Sequence, residues 1–168
     1  VAGSPDELAG QRRLLMARAL VDQGRQPEAI GLLEEDERNE ADLLRSEIFW
    51  QGKDWPNAAK VIQRMVTASG AVAGKPLDDA QSQLVLNLAV AHALSANDQG
   101  LSRLRGDYGR AMKGTPLQDV FSLISSPNSV GLIDFRTISS KVREVSNFKR
   151  FMAAYKQRIK KGGLSKLN

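Results

Sequence analysis

The chain has 168 residues, 42% hydrophobic, 26% charged and 5% aromatic, with no Cys and a net charge of +5. That length carries one domain with a core of its own. The missing Cys excludes disulfides, thiolate nucleophiles and thiolate metal sites, and no apolar run approaches the ~20 residues that span a bilayer. The charge is unevenly placed. From Arg136 to Asn168 there are ten Lys and Arg against one acid, Glu144, a local charge of +9, while the rest of the chain carries −4. A mildly acidic body therefore ends in a basic segment. The compartment is left open between cytoplasm and periplasm, and Val1 is consistent with a piece of a longer protein.

Ala and Leu supply most of the apolar residues, which favours helices. Ser4-Pro5-Asp6-Glu7 opens the first one, with Ser4 as cap, Pro5 in the first turn and Glu7 closing a capping box. It runs to about Gln23, with Leu14, Leu15, Ala17, Leu20 and Val21 as its apolar residues. Gly24-Arg25-Gln26-Pro27-Glu28-Ala29-Ile30 reads as a tight interhelical turn. Gly24 takes the left-handed conformation that ends a helix, and Pro27 enters the next one, from about Pro27 to Glu35. Glu34-Glu35-Asp36-Glu37 reads as a solvated acidic stretch. A third helix, about Glu40 to Gln51, leads to the turn Gly52-Lys53-Asp54-Trp55-Pro56-Asn57-Ala58, with Asp54 as cap. The fourth helix ends near Ser69-Gly70.

Gly and Pro mark 70–76 as a loop. Asp78 or Asp79 starts a fifth, strongly apolar helix that ends near Ala96. A sixth runs through Leu101 and Leu104 towards Tyr108, and Gly106, Gly109 and Gly114 predict an irregular region around Met112. Thr115-Pro116-Leu117-Gln118 repeats the capping-box grammar before Leu117, Val120, Phe121 and Ile124 at helical spacing. Ser126-Pro127-Asn128 stops that helix, and 130–138 reads as a loop leading into another. Ile138, Val142, Val145, Phe148, Met152, Tyr155 and Ile159 follow steps of three and four. They mark one long helix or two abutting near Ser146-Asn147, ended by Gly162-Gly163.

The two Pro-containing turns superpose with Ala29 on Ala58. Small residues, Ala17 and Ser46, stand twelve positions upstream; large ones, Leu20 and Phe49, stand nine upstream. This pattern resembles a tetratricopeptide repeat over roughly residues 10 to 105, although the repeat is 29 residues instead of ~34 and Arg13 and Asp42 replace large apolar residues. The Ala-rich units with a basic last helix are similar to the C-terminal part of longer bacterial repeat proteins. The resemblance implies an all-α, right-handed solenoid of helical hairpins over 1–114, with a capping region and basic tail over 115–168. Its concave groove would be crossed by Arg18, Asp22, Arg45 and Asn87, with Gln11 and Leu15 also on the groove side of the first unit. Phe148, Phe151, Met152 and Tyr155 would cap the last repeat.

Chemistry is thin. His92, the only His, lies in the apolar fifth helix without a Cys, second His or acidic motif beside it, and reads as structural. Asp78-Asp79 reads as a helix start, the glycines at 106–114 lack the Lys-Ser/Thr of a phosphate loop, and Arg105-Gly106-Asp107 is a chance tripeptide. Trp50 and Trp55 read either as packing between repeats or as partner anchors. Lys149, Arg150, Lys156 and Lys160 form a basic surface, read as a solvated face, a dock for an acidic protein, or a weaker match to nucleic acid or an anionic surface. The whole predicts a non-catalytic module without a cofactor, binding a protein or peptide.

Overall fold

The computed structural model describes residues 4–126 and 143–164, with side chains of the last helix described over 148–159. The described residues form eight α-helices and no strand: α1 (Pro5–Asp22), α2 (Gln26–Leu33), α3 (Asn39–Gln51), α4 (Trp55–Ala68), α5 (Asp79–Leu94), α6 (Asp98–Met112), α7 (Gln118–Ser125) and α8 (Arg143–Leu164). Side-chain caps fix several starts, because the first turn of a helix has N–H groups without carbonyl partners. Ser4 Oγ accepts from the Glu7 N–H at 3.3 Å, and Asp54 Oδ1 accepts from the Asn57 N–H at 3.3 Å. Asp78, not Asp79, caps α5 in a reciprocal box. Its Oδ1 accepts from the Gln81 N–H at 2.8 Å, while Gln81 Oε1 accepts from the Asp78 N–H at 3.0 Å.

Three successive helix pairs, α1–α2, α3–α4 and α5–α6, are joined by turns of one geometry. In each, a left-handed residue follows the first helix: Gly24 at φ 75°, Lys53 at φ 57° and Ala96 at φ 53°. In each, the next N–H reaches back over the turn, Arg25 to Leu20 O, Asp54 to Phe49 O and Asn97 to His92 O, at 2.8–2.9 Å. These bonds close the last carbonyls of the helix. The third turn carries no Gly or Pro signature, yet keeps the same bonds. The contact position filled by Ala29 and Ala58 is taken there by Leu101, and all three residues are buried.

Each helix packs on its hairpin partner, α4 also packs on α5, and α7 packs on α5 and α6. Two apolar clusters result. Ala17, Ala29, Leu33, Ala41, Leu44 and Ile48 fill the first. The larger one is built on α4 and α5, is joined by Leu101, Leu104, Tyr108, Met112 and Phe121, and is completed by Phe148 and Met152 of α8.

Several expectations are corrected. α6 continues unbroken through Gly106 and Gly109 to Met112. Its buried Leu101, Leu104, Tyr108 and Met112 fall three or four apart, so packing overrides glycine's weak helix propensity. α7 has Leu117 as its N-cap and no side-chain cap; Thr115 Oγ1 instead donates back to Met112 O at 2.8 Å. α8 is not broken at Ser146-Asn147 and reaches Leu164, past Gly162-Gly163. α7 covers the last hairpin, whereas α8 lies on α3 and α5. Asp36 is not solvated with its acidic neighbours but buried, as two arginines meet it. The segment 130–138 lies outside the described residues.

Candidate interaction face

The amphipathic pattern of α8 determines how it lies. Phe148 stacks on Trp50 with ring centroids 4.1 Å apart and planes 5° apart, and Trp55 meets Trp50 edge-on at 5.2 Å. One turn further, Met152 is fully buried with its sulfur 3.9 Å from Ser46 Oγ. A small residue at position 46 leaves room for that long side chain. Near the other end, Ile159 shares a cleft with Leu43. Advancing along α8 thus retreats along α3, so the two helices run antiparallel. Arg158 Nη2 donates to Asp78 Oδ2 at 2.7 Å, bridging α8 to the start of α5.

Beside α8 the face is open. A cleft of about 470 Å³ lies between α1, α3 and α8, with Leu14, Leu15, Leu43 and Ile159 supplying its apolar lining and Arg18 and Lys156 among its charged groups. Leu15 is 68% exposed, and Leu8, one heptad earlier on α1, is 41% exposed. Glu47 of α3 is half-buried where these helices meet. Burial pushes its carboxyl up, and Arg18, Lys156 and Lys149 partly oppose that shift.

The structure separates the residues expected in the groove. Arg18 lines the cleft. Asp22 is exposed at the end of α1 and is not among the residues lining it. Arg45 is 7% exposed, so it offers nothing to a partner. Its guanidinium bonds Asp42 and the carbonyls of Leu33 and Asp36, closing the C-terminal end of α2. Asp42 also accepts from Arg64 Nε at 3.2 Å, and Asp36 accepts from Arg38 Nε at 2.8 Å. Gly10 of α1 leaves the space that the Arg38 guanidinium occupies. This network pins α2, α3 and α4 together, and it reaches the cleft through Arg38. Asn87 is 4% exposed and accepts from Gln83 Nε2 at 3.2 Å. Burial in the apolar α5 removes it from the groove as well.

On the basic helix, Lys149 and Arg150 are exposed and Lys156 lines the cleft. The side chain of Lys160 lies outside the described residues. The groove residue Arg18 and the basic residues Lys149 and Lys156, two separate sites in the sequence, converge on Glu47. Glu47 carries no motif, and only the packing of α8 on α3 gives it a role.

His92 is neither enclosed nor catalytically partnered. It sits half-buried in a second cleft of about 410 Å³ between α4 and the α5–α6 turn. Asn97 Oδ1 accepts from the Gly100 N–H at 2.8 Å, so its amide nitrogen donates to His92 Nδ1 at 3.3 Å. The proton of the neutral ring then lies on Nε2. Burial lowers the His92 pKa, and Arg103 adds to the shift. No group of three metal-ligating acids or His is found among the described residues.

No family model, curated protein or solved structure matches this chain. The functional reading therefore stands on the geometry above. No helix among the described residues is long and apolar enough to cross a membrane.

Proposed function

We propose that this chain is a non-catalytic interaction module, a short tetratricopeptide-like solenoid of three hairpins, that takes an amphipathic peptide or partner helix between α1, α3 and α8. One observation carries the reading. The face of α3 already holds one helix, and beside it a cleft with an apolar lining and a largely exposed Leu15 remains open. Leu14, Leu15 and Ile159 offer burial to an apolar stripe, and Arg18, Arg38 and Lys156 outnumber Glu7 and Glu40, which favours acidic residues flanking that stripe on the Arg18 and Lys156 side.

Panning a library of short peptides against the full chain, then mapping amide protection, tests this. Protection is expected over α1 near Gln11–Arg18 and on α3 near Glu40–Leu43. Leu15→Asp and Arg18→Glu should each weaken the selected peptides by about tenfold or more. Peptides that protect another surface, or that ignore both substitutions, would overturn the reading.

A binder of nucleic acid or anionic surfaces through the basic helix is the weaker reading. Arg158 is paired with Asp78, and Lys149 and Lys156 act electrostatically on Glu47, so part of the basic charge is answered within the chain. Affinity for a generic duplex that falls steeply with salt would favour it.

A further inference from the structure

We infer that the surface of α3 and α5 beneath α8 is itself a binding site for basic amphipathic helices, and that α8 is its displaceable occupant in cis. This rests on the reading of the chain as an interaction module and names the ligand class of that face. The docked helix defines the ligand. It carries an aromatic residue at one position, Met four later and Ile eleven later, with Arg at the tenth step reaching Asp78. Asp78 divides its carboxylate between two tasks, Oδ1 capping α5 and Oδ2 receiving Arg158. Glu47 of α3 is half-buried within electrostatic reach of Lys149 and Lys156. The complementarity is that of a recognition site: an apolar channel under Trp50 with Asp78 placed for a cation of the incoming helix.

The body does not need α8 to have a core. Among the described side chains, the smaller apolar cluster contains no α8 residue, and the larger one takes Phe148 and Met152 from it as buried members, with Phe151, Tyr155 and Ile159 packed against it partly buried. Between 148 and 159 those two alone are buried, whereas α4 buries six side chains. A helix held by one apolar stripe and one exposed ion pair occupies its site with the help of tethering, which gives a high local concentration. A partner helix of the same chemistry competes with it. The occupant in trans is a protein helix and not a nucleic acid, because the channel demands an apolar stripe with cations beside it.

The test uses the full chain carrying Met152→Asp, which ejects α8, and a labelled synthetic peptide of residues 143–164 as probe. The released chain is expected to bind the peptide one-to-one and at least about tenfold more tightly than the unaltered chain, whose site is filled. Adding Asp78→Lys should weaken that binding. A released chain that keeps the helical signal of α1–α7 yet ignores the peptide overturns the inference. A released chain that loses that signal also overturns it, since α8 would then be core. A milder variant, Arg158→Glu, gives an independent reading: hydrogen exchange should quicken across 148–159 and nowhere in α3–α6, and uniform quickening counts against the inference. Dimers that form by exchange of α8 between copies would support it, showing the site refilled from solution. Leu15→Asp should weaken ligands of the open cleft far more than the 143–164 peptide, whose buried Phe148 and Met152 and whose Asp78 partner lie outside that cleft, so the two readings fail separately.

Discussion

Gly24, Lys53 and Ala96 occupy equivalent left-handed positions in the three hairpin turns, but only the first is glycine. Lys53→Gly and Ala96→Gly should therefore stabilise the protein, and Gly24→Ala should destabilise it. A side chain with a Cβ in this conformation costs roughly 1–2 kcal/mol. Replacing it by Gly loses roughly 0.4–1 kcal/mol of that benefit, because Gly is freer in the unfolded chain. The net gain is about 0.5–1 kcal/mol at each site. At Gly24 the penalty is conformational alone, as an added Cβ would meet nothing within 4 Å. The two gains should add, since the turns share no partner. For a chain of this size the doubly substituted protein should melt about 2–8 °C higher. Guanidinium titrations followed by far-ultraviolet dichroism would resolve each change as a shift in midpoint at constant slope. Destabilisation by Lys53→Gly, or shifts of the same sign for Lys53→Gly and Gly24→Ala, would refute the claim that backbone conformation governs these positions.

Arg45→Met should cost about 3–5 kcal/mol, because it takes a buried donor from the carbonyls of Leu33 and Asp36 and removes one of the two cations at Asp42; an equally folded variant that loses only ligand affinity would restore Arg45 to the binding face. Asp36 is held below the usual carboxylate range, first by the Arg38 side chain and against the opposing effect of burial. Its stabilising contribution is thus full above the ordinary Asp pKa of about 3.9 and disappears as pH falls through the lower folded value. Asp36→Asn should lower stability at neutral pH and flatten its fall in acid, measured by urea titrations between about pH 2 and 6. Gly100→Ala would place a Cβ 2.6 Å from the His92 ring, for an overpacking penalty of about 1–3 kcal/mol. That penalty should shrink in a His92→Ala background to the part set by Asn97 Nδ2, which the Cβ meets at 2.9 Å, and a cycle showing no coupling would mean that the ring simply moves aside.

Local grammar was legible in the sequence where a residue acts on its own backbone. Ser4, Gly24, Asp54 and the Asp at the head of α5 announced their helices because caps and left-handed turns need particular side chains within three residues. The third turn was not legible, since Ala96 carries no such signal and only the surrounding hairpin holds it at positive φ. Composition misled at Asp36, whose acidic neighbours are exposed, because its arginine partners come from α1 and from two residues ahead. Arg45 and Asn87 looked like groove residues for their polarity, and burial depends on what packs over them. The stripe of α8 was legible as a stripe. That it lies on α3 and α5 depends on Trp50, Ser46 and Asp78, which are distant in sequence.

The contact between Ser46 and Met152 spans 106 residues of chain. During synthesis the hairpins can close as they emerge, each from neighbouring segments, but the surface of α3 and α5 waits for α8. About 70 residues separate the end of α5 from the end of α8, which at ribosomal speeds of about 5–20 residues per second leaves several seconds. Over that interval the nascent protein presents Trp50 and its acidic neighbours to its surroundings. A helix able to bind there meets the site empty on the ribosome, before the chain's own helix has been made.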